Sequence, residues 1–256
     1  MGRCDILMYH MVSDPNTKAD RRFAIPPARF ESHLRGLAKR GCRFVSLDQI
    51  AEFLAGNGKL PESAIAVTLD DGYEDNYRHA FPILSKYQVP ASIFLVSDLM
   101  GGSNRWMHGR GYSHRPLMTW EQARELQRHG MHLGAHTANH VRLPELDQST
   151  AHREISECKI RIEQELGRPV PHFAYPYGLF NKGVRELVRQ CGFRTACSTK
   201  PGPNRAATDL FALRRIEVTG TDSLAQLVRK IRFGTNDPSL GVPIRYYWSR
   251  LRSRTS

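Results

Sequence analysis

The sequence predicts an α/β fold in a single domain: a closed or nearly closed barrel of mostly parallel strands with crossover helices. Three observations predict it. Short apolar runs alternate with longer amphipathic stretches along most of the chain, the signature of a parallel sheet wrapped by helices. The 256 residues suit one large domain, and α/β barrels commonly have this length. No stretch reads as an interdomain linker, an internal repeat or a low-complexity tract. An open doubly wound sheet is the alternative architecture.

Strands are expected at residues 5–9, 43–46, 64–69, 91–96, 132–135, 172–175, 195–198 and 213–218. The helix expected at 27–40 follows a double proline and ends at Gly41, a sound start and stop. The helix at 47–55 carries Asp48 in its first turn, and that at 76–87 ends before Val89-Pro90. The helix at 119–129 has Thr119 as N-cap and Gly130 after its end. The longest, 149–166, is closed by Gly167; that at 182–190 stops at Cys191-Gly192, and 224–231 is the last clear one. The longest irregular piece, residues 100–116, holds four Gly together with Trp106, His108 and His114. A loop of that length in a compact domain is usually functional or mobile. Residues 1–243 read as one globular domain and 244–256 as a basic aromatic tail.

Composition narrows the classes. With 40% hydrophobic and 24% charged residues the chain is an ordinary globular protein, not a collagen, coiled coil or disordered polymer. No run approaches the roughly 18–20 apolar residues that span a bilayer. At the N-terminus only residues 6–9 are continuously apolar, too short for a signal-peptide core, so the chain as given reads as cytoplasmic. Five Cys, an odd number without paired spacing, read as free thiols of a reducing compartment. The formal charge of +12 favours anionic partners. No helix-turn-helix, zinc-finger or RNA-binding signature accompanies it, so nucleic acid is not expected. The tail carries Arg245, Arg250, Arg252 and Arg254 with no acid, interleaved with Tyr246, Tyr247, Trp248 and Leu251. Peripheral membrane contact is one reading of it; a docked helix with a solvated end is the other.

Four strand ends carry chemistry. The first is Val67-Thr-Leu-Asp70-Asp71-Gly72, where two carboxylates leave an apolar strand. One can bind a metal and the other move a proton, or the trio can be a plain turn before a helix. The second is His136-Thr-Ala-Asn-His140, whose imidazoles converge on one metal if the chain turns helically after the strand. The third, Tyr175-Pro176-Tyr177-Gly178, can present a backbone N–H as an oxyanion donor, or can be an ordinary strand exit. The fourth is Leu7-Met-Tyr-His10, whose His becomes a candidate general acid beside a metal. In barrels these ends share one face. Asp71, His136 and His140 make a two-His, one-carboxylate set suited to zinc or a similar divalent metal, and equally to non-haem iron. The adjacent Asp70 favours hydrolysis, because an activated water needs a base.

On these residues the sequence resembles the polysaccharide deacetylases of carbohydrate esterase family 4, over roughly residues 4–220. Thr68-Leu-Asp-Asp-Gly72 is similar to the family's T-F-D-D-G, and His136-Thr-Ala-Asn-His140 to its H-[ST]-x-x-H. The resemblance implies an irregular (β/α)7 barrel and a metal-dependent hydrolase that removes N-acetyl groups from an amino-sugar polymer or glycan intermediate. It implies Asp71, His136 and His140 as metal ligands, with zinc expected and cobalt or nickel as alternatives. It implies Asp70 as base and Tyr177 as the oxyanion donor, with Tyr175 and Pro176 at the substrate. Trp106 is expected as a sugar-stacking wall or as inert packing. The family's third motif usually carries an Arg where this chain has Ala174, and Arg214 or Arg215 is the candidate replacement. The late L-x-x-H motif has no counterpart after His172, whereas Leu7-Met-Tyr-His10 satisfies it at the other end. That arrangement resembles the circularly permuted branch that includes the poly-N-acetylglucosamine deacetylases, and it implies His10 as the acid. Alternative readings are a deacetylase or deformylase of a lipid-linked sugar and a non-catalytic glycan-binding relative.

Overall fold

The computed structural model describes residues 2–239 and 241. Its eight strands form one sheet in which every pairing is parallel. They are β1 (Cys4–Tyr9), β2 (Arg43–Phe44), β3 (Ala64–Leu69), β4 (Ser92–Leu95), β5 (His132–Ala135), β6 (His172–Ala174), β7 (Thr195–Cys197) and β8 (Ile216–Glu217). The helices are α1 (Pro27–Lys39), α2 (Leu47–Leu54), α3 (Phe81–Lys86), α4 (Trp120–Arg128), α5 (Gln148–Leu166), α6 (Lys182–Gln190) and α7 (Leu224–Phe233). The spatial order is β7-β6-β5-β4-β3-β1-β8, with the short β2 on β3 beside the start of that strand. The sheet curls into the irregular (β/α)7 barrel that the sequence implied.

Closure explains one difference from expectation. The strand expected at 213–218 shrinks to Ile216–Glu217, because the residues before it serve the other edge. Leu213 N–H donates to the Ala196 carbonyl, Ser198 N–H to Leu213, and Arg215 N–H to Lys200. One segment thus hydrogen-bonds β7 first and β1 next, bringing the edges of the sheet together.

Strand alternation sorts the core into two layers. Leu7, Tyr9, Ile65, Val67, Leu69, Ile93 and Leu95 belong to the main cluster with the helices. Cys4, Ile6, Ala64, Ala66, Phe94, Ala174 and Cys197 form a second cluster inside the barrel. The interior residues are mostly small, and Phe94 fills the space they leave. A Cβ on Gly134 would stand 2.5 Å from the Phe94 ring, so the glycine makes room for it.

Helix boundaries follow local chemistry. Ser46–Gln49, Thr119–Gln122 and Ser223–Gln226 form reciprocal capping boxes on α2, α4 and α7, each cap contributing about 1 kcal/mol. Gly167 closes α5 in the left-handed conformation. The helix expected at 76–87 divides into a wide π-helical turn, Asn76–Ala80, and α3. Pro82 lacks an N–H, so the ordinary ladder cannot run through that point. The five cysteines are free, and burial pushes the thiols of Cys4, Cys158 and Cys197 up to about 12. No helix among the described residues is long and apolar enough to cross a membrane. The tail at 244–256, for which membrane contact was one reading and a docked helix the other, lies outside the described residues.

Candidate active site

Alternation carries two polar side chains to the mouth of the barrel. In β3 the inward positions run Ala64, Ala66, Thr68 and then Asp70; in β1 they run Cys4, Ile6, Met8 and then His10. Asp71 would by the same rule face the helices. It does not, because Asp71 (φ 78°) and Gly72 (φ 70°) both turn left-handed and swing its carboxylate to the mouth.

There Asp71 Oδ1 lies 3.3 Å from His136 Nε2 and 3.2 Å from His140 Nε2, all three residues buried. The expected helical turn between the histidines is instead a left-handed one, with Thr137 at φ 64° and His140 at φ 57°. It is pinned by Ala138 N–H on the Glu154 carbonyl and Asp98 N–H on Ala138. His136 Nδ1 is 2.7 Å from the Ala174 carbonyl. A carbonyl only accepts, so Nδ1 carries the proton and Nε2 offers its lone pair to the cluster. Asp71 Oδ1 is buried and has no hydrogen-bond partner. The three donor atoms lie within 4.8 Å of one another. An orphaned carboxylate oxygen converging with two imidazole nitrogens fits a divalent cation. Burial alone would raise the Asp71 carboxyl, but His140 and His136, when protonated in the absence of a cation, hold it well below the usual range. Burial lowers His140, against the pull of Asp71.

Asp70 has a different partner. Arg215, fully buried, clamps it with Nη1 at 2.6 Å and Nη2 at 2.7 Å. Its remaining donors reach the Ser198 carbonyl (Nε, 2.9 Å) and Thr68 Oγ1 (3.2 Å). Burial pushes the Asp70 carboxyl up, and the Arg215 charge outweighs it, leaving the group lowered and ionised at neutral pH. The small Ala174 leaves the barrel interior open, and Arg215 enters it from the neighbouring segment. Arg214 corrects the second half of that expectation: its guanidinium bonds the Pro201 carbonyl and does not reach Asp70.

Asp70, Asp71, His136 and His140 line a cavity of about 400 Å³ together with His10, Tyr175 and Tyr177. Tyr177 adopts φ 59°, and burial raises its phenol. Tyr175 is fully buried and its hydroxyl donates to the Phe211 carbonyl at 3.0 Å, which leaves it little freedom toward a ligand. Pro176 and Trp106 do not line the cavity; Met107 takes the place expected of Trp106. The sequence reading missed Phe23 and an Arg22–Glu217 ion pair (3.0 Å) on the cavity wall. Glu217 could have been found by the strand-end rule, whereas nothing local marks Arg22 or Phe23. A larger cleft of about 600 Å³, by Arg3, Asp5 and Glu62 at the opposite ends of the strands, offers no converging donor set.

A parallel barrel with this Asp-Asp, His-His constellation at one mouth defines a class, and comparison with known proteins agrees. The profile of the polysaccharide deacetylase family matches residues 57–196, more than half of the chain, which belongs to that family. YxkH of Bacillus subtilis, provisionally named a polysaccharide deacetylase, is 28% identical over 218 residues, covering 85% of this chain and 72% of its own. The poly-β-1,6-N-acetyl-D-glucosamine N-deacetylase of Staphylococcus aureus is 20% identical over 244 residues, covering 88% and 81%. Among solved structures, IcaB from Ammonifex degensii superposes with a TM-score of 0.78 at 28% identity, covering 90% of this chain and 97% of that one.

Proposed function

We propose that the chain is a divalent-metal-dependent N-deacetylase acting on an N-acetylated amino-sugar polymer. The observation that carries the reading is the division of labour between adjacent carboxylates. Asp71 faces two imidazoles, while Asp70 is clamped by a guanidinium on the same cavity. The name of the Staphylococcus aureus relative supports the substrate class.

Asp71, His136 and His140 would hold the metal, with zinc as first choice and cobalt or nickel as alternatives. When bound, a divalent cation supplies Lewis acidity to a water and to the acetamide carbonyl. Asp70, held ionised by Arg215, takes a proton from the water as its oxygen bonds to the carbonyl carbon. The Tyr177 backbone N–H donates to the oxyanion that forms. His10 gives a proton to the nitrogen as the C–N bond breaks, releasing a free amine and acetate. Arg215 acts through Asp70 and is a positioning residue.

The test is acetate release from N-acetylglucosamine oligomers after chelation and after return of zinc, cobalt or nickel. Metal should restore release in the native chain and not in Asp71→Ala. Asp70→Asn should bind the metal and lose turnover by about 10²-fold or more. Near-normal turnover in Asp70→Asn would remove Asp70 from the role of base. Bound metal with no release in the native chain would instead favour a lipid-linked sugar substrate or a glycan-binding relative.

A further inference from the structure

Metal-binding histidines are ordinarily aimed by a hydrogen bond to the second ring nitrogen. His136 obeys, through Nδ1 and the Ala174 carbonyl. His140 does not: its Nδ1 is buried with no partner, and its backbone is left-handed. What fixes its ring is aromatic. The indole of Trp106 stacks on it with centroids 4.3 Å apart and planes 17° from parallel. Tyr177 meets it edge-on at 4.7 Å.

We infer that Trp106 is a positioning residue for the candidate metal ligand His140, its ring face replacing the missing hydrogen bond. The inference rests on the proposed metal site. Three details support it. The Trp106 Nε1–H is buried without an acceptor, so the indole is not held there by its polar edge. Its ring face is occupied by His140 and it does not line the cavity, so it does not present that face to a sugar. The loop that carries it is tied down: Asn104 donates to the Ser113 carbonyl and accepts from Arg115 N–H. Ser113 in turn donates through its backbone N–H and its hydroxyl to the buried Asp20. A plate mounted on so braced a loop can hold an imidazole at a fixed tilt.

The experiment strips the full chain with a chelator and titrates Zn²⁺ against a competing chromophoric chelator. Native chain, Trp106→Phe, Trp106→Ala and His140→Ala are compared, each with a circular-dichroism spectrum and melting curve. His140→Ala reports whether the site binds metal at all. Trp106→Ala should bind Zn²⁺ about 10- to 100-fold more weakly, the usual effect of losing a ligand's support. Trp106→Phe keeps a ring face, loses the unsatisfied N–H, and should retain affinity within a few-fold without loss of thermal stability. Co²⁺ should quench native tryptophan emission, and Trp106→Phe should lose most of that quenching. Native affinity in a folded Trp106→Ala would overturn the inference. So would a raised KM with unchanged Zn²⁺ affinity, which would return Trp106 to a sugar wall. If Trp106→Ala fails to fold, Trp106→Leu carries the test: it fills the space without a ring face, and native Zn²⁺ affinity in it would overturn the inference. Zn²⁺ binding in the native chain no tighter than in His140→Ala would sink the metal-site reading and this inference with it.

Discussion

Replacing Arg215 with methionine removes the guanidinium that clamps Asp70 while filling most of its volume, so the cost is chiefly electrostatic. Both residues are buried, and two hydrogen bonds of 2.6 and 2.7 Å join them. Stranding one member of such a pair costs about 3–5 kcal/mol. For a chain of this size that lowers the melting temperature by about 6–20 °C. The variant has an escape, which is to protonate Asp70. In the native protein burial raises the carboxyl, but Arg215 outweighs it and the group titrates below its usual value. The stability from the pair is therefore complete at neutral pH and is lost only as pH falls through that lowered value. Without Arg215 burial dominates, and the carboxyl rises above its unfolded value. The variant then loses stability as pH increases, so its deficit against the native chain is larger at pH 7.5 than at pH 5. Urea unfolding followed by circular dichroism measures this for native, Arg215→Met, Asp70→Asn and the double variant, which should recover part of the loss. A deficit under about 1 kcal/mol at pH 7.5, or one that does not narrow at pH 5, would refute the reasoning.

Two further outcomes follow from the packing. His33 is fully buried, its Nε2 3.0 Å from the Asp222 carbonyl and its Nδ1 3.2 Å from the Tyr9 hydroxyl, and burial lowers it from 6.5 to about 4. The unfolded chain takes up this proton first, so stability should fall by about 3 kcal/mol as pH drops from 6.5 to 4. Urea midpoints across that range check it, and they should flatten in His33→Gln. Gly134→Ala places a Cβ 2.5 Å from the Phe94 ring and 3.0 Å from the His172 carbonyl. It should cost about 1–3 kcal/mol, partly relieved by Phe94→Leu; a neutral Gly134→Ala in thermal melts would mean the interior is packed otherwise.

Among the described residues, the eight strands and seven helices stand within a few residues of where the alternation and caps put them, except that α3 begins only at Phe81. Hydrophobic periodicity reports burial, and in a barrel burial and element coincide. What the pattern could not carry was non-local. The division of the 76–87 helix needs the clash at Pro82 to be weighed against a good apolar stripe. The shortened β8 reflects a segment that serves both edges of the closing sheet. Asp70, Asp71, His136, His140 and His10 were legible because strand ends gather at one mouth. Arg215 and Arg214 were indistinguishable in sequence, since neighbours in an irregular segment differ only in which one turns inward. Trp106 was visible as an aromatic in a long loop, but its partner His140 lies far along the chain. The stacking of their rings has no local signature.

Among the described residues, six non-glycine positions have positive φ, and four of them are Asp71, Thr137, His140 and Tyr177. Each holds a conformation that a glycine or asparagine would adopt at less expense. Three of those turns bring side chains to the cavity, those of Asp71, His140 and Tyr177, and Thr137 lies on the turn between the two histidines. Protein engineering meets the result directly. A thermostability campaign scored on melting temperature alone will find relief at these four positions early, and each such gain would be drawn from the proposed active site or the turn that shapes it. Variants of this chain need to be ranked by turnover as well as by heat resistance, or selection will steer toward a sturdier barrel that no longer works.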